Sequence, residues 1–375
     1  MSDPTLSGGA APGGTFNDRM IRELIANDRI VLAAAPDERQ VQPASLDLRL
    51  GTVAYRVRAS FLPGPAATVA EKLARFALHE IDLARGAVLE TGCVYIVPLL
   101  ESLALPRDVA AGANPKSSTG RLDVFTRVIA DHAEQFDTVP AGYAGPLYLE
   151  VSPRTFPVLA RTGSRLTQMR FRRGQATLSE METLLLHERE TLVNGPAPSI
   201  TPRGIAMSID LRGDETGLVG YRAKRHSSLV DVDRVAAHDL HDYWEPIHVR
   251  GQSYQGGHDL VLDPDQFYIL VSRESVHVPP THAAEMVPFD PLVGEFRVHY
   301  AGFFDPGFGH RAAGGAGARA VLEVRSHEVP FILEHGQTVG RLLYERMAEE
   351  PAEPYGAGLA SNYQAQGLKL SKHFQ

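Results

Sequence analysis

The chain states one pattern twice. Ser45-Leu46-Asp47-Leu48-Arg49 returns as Ser208-Ile209-Asp210-Leu211-Arg212, at an offset of 163 residues. Residues 93–106 (CVYIVPLLESLALP) return as 266–279 (QFYILVSRESVHVP). Glu150-Val151, Pro157 and Gly163 return as Glu323-Val324, Pro330 and Gly336, and both of these latter repeats have an offset of 173. Residues recurring in register over such distances indicate two copies of one domain, since solenoid repeats are far shorter. A length of 375 residues suits two domains of ordinary size. Residues 194–204 (NGPAPSITPRG) are rich in Gly and Pro and read as the linker. The expected division is a flexible tail over 1–16, a first domain over 17–198 and a second over 199–375.

The local pattern is mostly strand. Leu46, Leu48 and Leu50 alternate with Asp47 and Arg49. VYIV, LDVFTRVIA, GPLYLEV, FPVLA and RLTQMRF follow, separated by Gly and Pro. Short strands at this spacing predict an antiparallel barrel or sandwich. Three short helices are expected. One is capped by Asn17, with Met20, Ile21, Leu24 and Ile25 on one face; the others cover 69–78 and 178–193. The Gly-rich insertion 310–318 (HRAAGGAGA) reads as a flexible loop, and residues 354–367 as a closing loop.

Composition narrows the function classes. A net charge of −8 argues against a nucleic-acid groove but leaves room for a local basic pocket. The one cysteine, Cys93, lies in an apolar run and reads as a buried inert thiol. One cysteine cannot build the His-x-Glu and Pro-Cys-x-x-Cys signature of zinc deaminases. No apolar stretch approaches membrane-spanning length, and the N-terminus lacks a secretory signal, so a cytoplasmic enzyme with no membrane partner is expected.

Three segments carry chemistry. Residues 114–121 (NPKSSTGR) gather Lys116, Ser117, Ser118, Thr119 and Arg121 around Gly120. That set offers cations and short donors to phosphate oxygens, although a solvated polar turn carries about equal weight. The equivalent stretch in the second half, 290–295 (DPLVGE), has lost those residues. Glu150 and Glu323 each sit in an apolar strand, opposite in facing to their Leu and Val neighbours, where burial could make either one an acid and base. A Glu on the solvated face is the plainer alternative. Asp305-Pro306-Gly307-Phe308 is a turn ahead of the second Glu strand; the first half has Pro140-Ala141-Gly142-Tyr143 there.

Together these segments resemble the dCTP deaminase family of the trimeric dUTPase-like superfamily. Residues 42–51 (QPASLDLRLG) resemble its opening strand. Residues 116–121 resemble its phosphate-binding Arg-Ser-Ser-x-x-Arg motif, with Lys in the first place. Asp305 to Phe308 and Val321-Leu322-Glu323 resemble its nucleotide-binding turn and catalytic strand. Tyr355, Asn362 and Gln366 fall at the spacing of its closing Tyr, Lys and Gln, with Asn in the Lys position. The resemblance implies an all-β protein of two tandem dUTPase-like distorted β-barrel or jelly-roll domains. It implies hydrolytic deamination of dCTP to dUTP and ammonia, which supplies dUTP for dTMP synthesis. The reaction would use a Glu-activated water without zinc, with Mg²⁺ accompanying the triphosphate. The small-molecule partner is the nucleotide, and a homo-oligomer is expected.

The implied catalytic set is Glu323, Glu150, Arg121 and Ser117. Of the two glutamates Glu323 ranks first, because its half keeps Asp305 and Tyr355. Lys116, Ser117, Ser118, Thr119, Gly120, Arg121, Asp305, Val321, Leu322, Tyr355, Asn362 and Gln366 would bind substrate. The phosphate motif survives in one half and the Asp turn in the other, so a site composed from both is expected, within one chain or between chains. The alternatives are dUTP hydrolysis to dUMP, a bifunctional enzyme, or a non-catalytic nucleotide-binding protein. The ending GLKLSKHFQ does not resemble the Gly-rich, Ser-containing arm of the diphosphatases.

Overall fold

Among the described residues the alternating strands pair into two large sheets in each half, with a smaller pairing beside them, and the main sheets repeat one strand order. The computed structural model describes residues 13–195, 198–248, 258–288, 296–298, 302–326, 328–356 and 367–375. In the first half an antiparallel sheet runs Ala77–Asp82, Val53–Val57, Val94–Ala104, Ala144–Pro153, Val124–Ala130. In the second half the order is Trp244–His248, Leu218–Ala223, Phe267–Val276, Ala318–Ser326, Phe296–Val298. Register is kept as well: Glu150 lies opposite Ile96, and Glu323 opposite Ile269. A second sheet in each half is built on Thr167–Arg173 with Val109–Pro115, and on Thr338–Arg346 with His282–Pro288. The chain is therefore mostly β with a few short helices, and among the described residues no helix is long and apolar enough to cross a membrane.

The helices form where caps and apolar spacing coincide. Asn17 Oδ1 accepts from Met20 N at 3.0 Å and starts Asp18–Ala26, which buries Met20, Ile21 and Leu24. Thr68 with Glu71, and Ser179 with Glu182, form reciprocal capping pairs at the starts of Val69–Phe76 and Glu180–Glu190.

The two copies differ in what covers one face of the main sheet. In the first half that face carries Ile96 and Tyr148, and the helix Val69–Phe76 closes it with Val69 and Leu73. In the second half the matching face carries Ile269 and Val321, which join the first half's core instead. Phe267, Tyr243 and Trp244 belong to the same core, each removing large apolar area from water. Val158–Ala160 pairs in parallel with Val230–Asp231 across the seam. Arg325 reaches over it to Asp123 and to Thr155 Oγ1 at 2.9 Å.

Several sequence expectations need correction. The tail expected over 1–16 ends earlier, because Gly14–Thr15 pairs with Thr167–Arg173 and Phe16 is buried; residues 1–12 lie outside the described residues. The boundary expected at 198 does not coincide with the change in packing. Leu186, Leu192 and Val193 belong to the second core, and Val193–Asn194 pairs with Phe267–Val276. The described part of the Gly-Pro stretch thus already belongs to the second packing unit, where Ile200–Thr201 pairs with Gly204–Ser208. Residues 310–318 are compact: His310 and Ala313 are buried, and Gly317 N donates to Gly309 O at 2.9 Å. Cys93 is half-buried rather than sealed in the core.

Candidate functional site

The phosphate-like segment is built into the structure. Lys116 follows the strand Val109–Pro115 and precedes Ser117–Gly120, which forms one helical turn. Thr119 N and Gly120 N donate to Lys116 O at 2.8 and 3.0 Å. Ser118, Thr119, Gly120 and Arg121 are buried, while Lys116 and Ser117 are half-buried. A solvated surface turn does not bury its polar side chains, so that alternative falls. The Lys116 ammonium donates to Asp47 Oδ2, and Arg165 stands 3.7 Å from the same oxygen. The repeated Ser-Leu-Asp-Leu-Arg segment and the phosphate-like turn therefore meet at Asp47.

Arg121 faces the other half. Its Nε stands 3.8 Å from Glu323 Oε1, and both side chains are buried. Strand alternation explains the facing. Val321, Glu323 and Arg325 of Ala318–Ser326 point toward the first half, whereas Leu322 and Val324 fill the second core. Burial pushes the Glu323 carboxyl up to about 7, and the Arg121 charge opposes the rise.

The Asp305 turn closes on the same region. Arg170 from Thr167–Arg173 is fully buried; it donates to Ala284 O and Phe304 O, both at 2.9 Å, and reaches Asp305 Oδ1 at 3.4 Å. Its guanidinium carbon lies 4.0 Å over the Phe303 ring. Burial raises the Asp305 pKa; Arg170 and Lys116 lower it, and Asp47 raises it. Asp305 is thus held to the first half through Arg170. Tyr355 N donates to Pro306 O at 2.7 Å, and the Tyr355 ring stacks at 5.9 Å from Phe308. Gly307 has φ +96°, and a Cβ there would meet Tyr355 O at 2.9 Å, so the turn admits only glycine. Asn362, Gln366 and the stretch 290–295 lie outside the described residues.

Glu150 has different company. Its cross-strand neighbour Arg127 donates to Oε1 through Nε at 2.9 Å. Arg127 is itself held by Ser60 Oγ at 2.7 Å and stacks 3.7 Å over Phe136. The first-half carboxylate is thus neutralised within its own sheet.

Sequence reasoning missed three contributors. Arg170 sits between Met169 and Phe171 and reads as a solvent-facing strand residue, yet it is the plug between the halves. Asp47 was visible in the repeat, but its partnership with Lys116 was not. Ser371 Oγ donates to Ser118 O at 2.7 Å, and Arg121 donates to Lys369 O at 3.0 Å, so the C-terminal residues line the turn. Only the Lys and Ser of that ending hinted at a polar role.

Comparison with known proteins gives a consistent assignment. Residues 12–175 match the family described as 2'-deoxycytidine 5'-triphosphate deaminase (DCD) N-terminal domain, and residues 179–374 match the corresponding C-terminal domain. A protein of Dictyoglomus thermophilum named "dCTP deaminase, dUMP-forming" is 28% identical over 160 residues, covering 42% of this chain and 78% of that protein. One of Halorubrum lacusprofundi named "dCTP deaminase" is 29% identical over 160 residues, covering 42% and 75%. The solved structure of 2'-deoxycytidine 5'-triphosphate deaminase from Agrobacterium tumefaciens is 66% identical. It covers 91% of this chain and 99% of its own, with a TM-score of 0.85.

Proposed function

The chain belongs to the 2'-deoxycytidine 5'-triphosphate deaminase family, and from that premise we propose that it hydrolyses dCTP to dUTP and ammonia at a site composed from both halves of one chain. The observation that carries this reading is the buried Arg121–Glu323 pair across the seam, with a carboxyl poised near neutrality. Glu323 takes a proton from water as the oxygen attacks C4 of cytosine and passes it to N3, then carries the remaining hydroxyl proton to the departing amino nitrogen. The C–N bond breaks, and uracil and ammonia result. A group with a pKa near 7 can both accept and return that proton. Arg121 holds the carboxylate in place and keeps a fraction of it ionised.

At the other end of the turn Lys116, Ser117 and Ser118 bind the phosphates, with Thr119 and Gly120 shaping the backbone. Asp305, Val321 and Tyr355 enclose the nucleoside, while Leu322, whose side chain fills the second core, contributes only backbone groups. Asn362 and Gln366 remain part of the proposal through the family spacing alone. Glu150 is a relic in this reading, since Arg127 already occupies its carboxylate. The repeated strand order supports two tandem dUTPase-like barrels that meet between residues 175 and 179. Further assembly into a homo-oligomer is also proposed; the exposed apolar side chains Met181 and Leu185 support it.

Among the described residues no three His, Cys, Asp or Glu side chains converge as a metal cage. The residues fit a Mg²⁺ held by phosphate and water, which needs few protein oxygens. Asp47 Oδ1, buried and without a hydrogen-bond partner among the described residues, would be one. When bound, the ion neutralises phosphate charge.

A second reading is supported by relatives named dUMP-forming: deamination followed by loss of pyrophosphate. Ammonia, pyrophosphate, dUTP and dUMP measured separately after incubation with dCTP and with dUTP distinguish the two. The main reading expects ammonia and dUTP from dCTP; the second expects dUMP and pyrophosphate. No ammonia from dCTP refutes both.

A further inference from the structure

Two residues beyond each member of the Arg121–Glu323 pair the charges return with their signs exchanged. Asp123 follows Arg121, and Arg325 follows Glu323. On the first-half side the two charged side chains flank Leu122, which is fully buried in the first core. Asp123 has φ +55°, a left-handed value that Asp and Asn tolerate better than most residues. Its backbone is fixed at both ends: Asp123 N donates to Gly120 O, and Arg154 N donates to Asp123 O, both at 2.9 Å. On the second-half side strand alternation sets Glu323 and Arg325 on one face of Ala318–Ser326, toward the seam.

The second pair is a closed network. Arg325 Nη2 donates to Asp123 Oδ2 and to Thr155 Oγ1, the latter at 2.9 Å, and Thr155 Oγ1 donates to the same Oδ2 at 2.5 Å. Arg325 Nη1 donates to Asp265 O in its own half at 2.6 Å. One guanidinium fork therefore ties the second half to the first, and both Asp123 and Arg325 are buried.

The order of the signs resists slippage. A displacement of the halves by two residues one way sets Arg121 against Arg325; the other way it sets Asp123 against Glu323. Either brings like charges together in a buried place, which is costly. Fixing a register is the best-attested use of buried polar and ionic groups. We propose that Asp123 and Arg325 are positioning residues whose pair sets the register in which Arg121 meets Glu323. This rests on the reading of Glu323 as the proton carrier.

Asp123→Asn separates positioning from simple charge, because Asn keeps the size and tolerates the left-handed backbone. Loss of a nearby anion by itself eases ionisation of Glu323 and lowers its titration midpoint, whereas withdrawal of Arg121 raises it. Arg325→Lys retains the cation and loses the fork, so its charge alone moves nothing. The midpoint is read by infrared difference titration of the full chain, with the carboxyl stretch assigned by its disappearance in Glu323→Gln. Circular dichroism checks folding, and ammonia release from dCTP is measured in parallel. Asp123→Asn and Arg325→Lys should each raise the midpoint by about half a pH unit or more, and neither should do so in an Arg121→Gln background. A lowered or unmoved midpoint, or an equal rise without Arg121, overturns the proposal. The expected rise in a protein that releases no ammonia upholds the positioning and refutes the deaminase reading.

Discussion

Arg121 and Glu323 come from opposite copies of a duplicated domain, yet Nε of one stands 3.8 Å from Oε1 of the other inside a single chain. The guanidinium opposes the effect of burial on the carboxyl. If the carboxylate must be ionised to take the proton from water, kcat/KM for dCTP should fall about tenfold per pH unit below about pH 7. Arg121→Gln removes the charge that favours ionisation, so its acid limb should move to higher pH. A pH–rate series on both proteins checks this; an unmoved limb contradicts it.

The same carboxyl makes a stability prediction of opposite sign to the usual paired glutamate. Folded, it holds its proton up to about pH 7; unfolded, it releases it near 4.5. The folded state binds more protons between those values, so wild-type stability falls as pH rises through the window. Glu323→Gln has no such term. Its stability relative to wild type should increase from pH 5 to pH 8 in urea denaturation. Asp137 and Asp305, also raised, are common to both proteins and cancel. A constant difference across pH would contradict the assignment.

Arg170 should be the costliest single residue at the seam. Arg170→Met leaves Asp305 without its cation and Glu345 with Arg172 alone, and two carbonyls lose a donor. A loss of about 3–5 kcal/mol in unfolding free energy is expected, together with weaker nucleotide binding. A loss below about 1 kcal/mol would show that the plug is incidental.

Gly307→Ala tests the link between the Asp305 turn and Tyr355. The added Cβ would stand 2.9 Å from Tyr355 O at a backbone φ of +96°. A cost of roughly 1–3 kcal/mol is expected in strain, and KM for dCTP should rise more than kcat falls. A KM unchanged from wild type would remove Tyr355 from the binding site.

What could be read from sequence was what lies along one chain segment. The duplication is visible because register survives in it, and Glu150 and Glu323 occupy equivalent strand positions opposite Ile96 and Ile269. The Asn17 cap is local chemistry and was legible for that reason, as was the helical spacing of 178–193. The fate of each glutamate was not, because it depends on cross-strand and cross-seam neighbours. Arg127 neutralises Glu150 only through strand pairing, and Arg121 reaches Glu323 only through the docking of the halves. The domain boundary was misjudged for a related reason. Gly and Pro mark a loop, but Leu186 and Leu192 decide which core the preceding helix joins. The Gly-rich insertion looked flexible, yet the turn it forms is closed by backbone contacts between Gly309 and Gly317.

The most direct test of the composite site is ammonia release from dCTP by Glu323→Gln and Glu150→Gln, measured beside wild type at saturating nucleotide. Glu323→Gln should bind dCTP normally and turn over about 10²-fold slower or worse, while Glu150→Gln stays within a few-fold of wild type. Normal turnover by Glu323→Gln with an inactive Glu150→Gln would contradict the account and assign the chemistry to the first half alone.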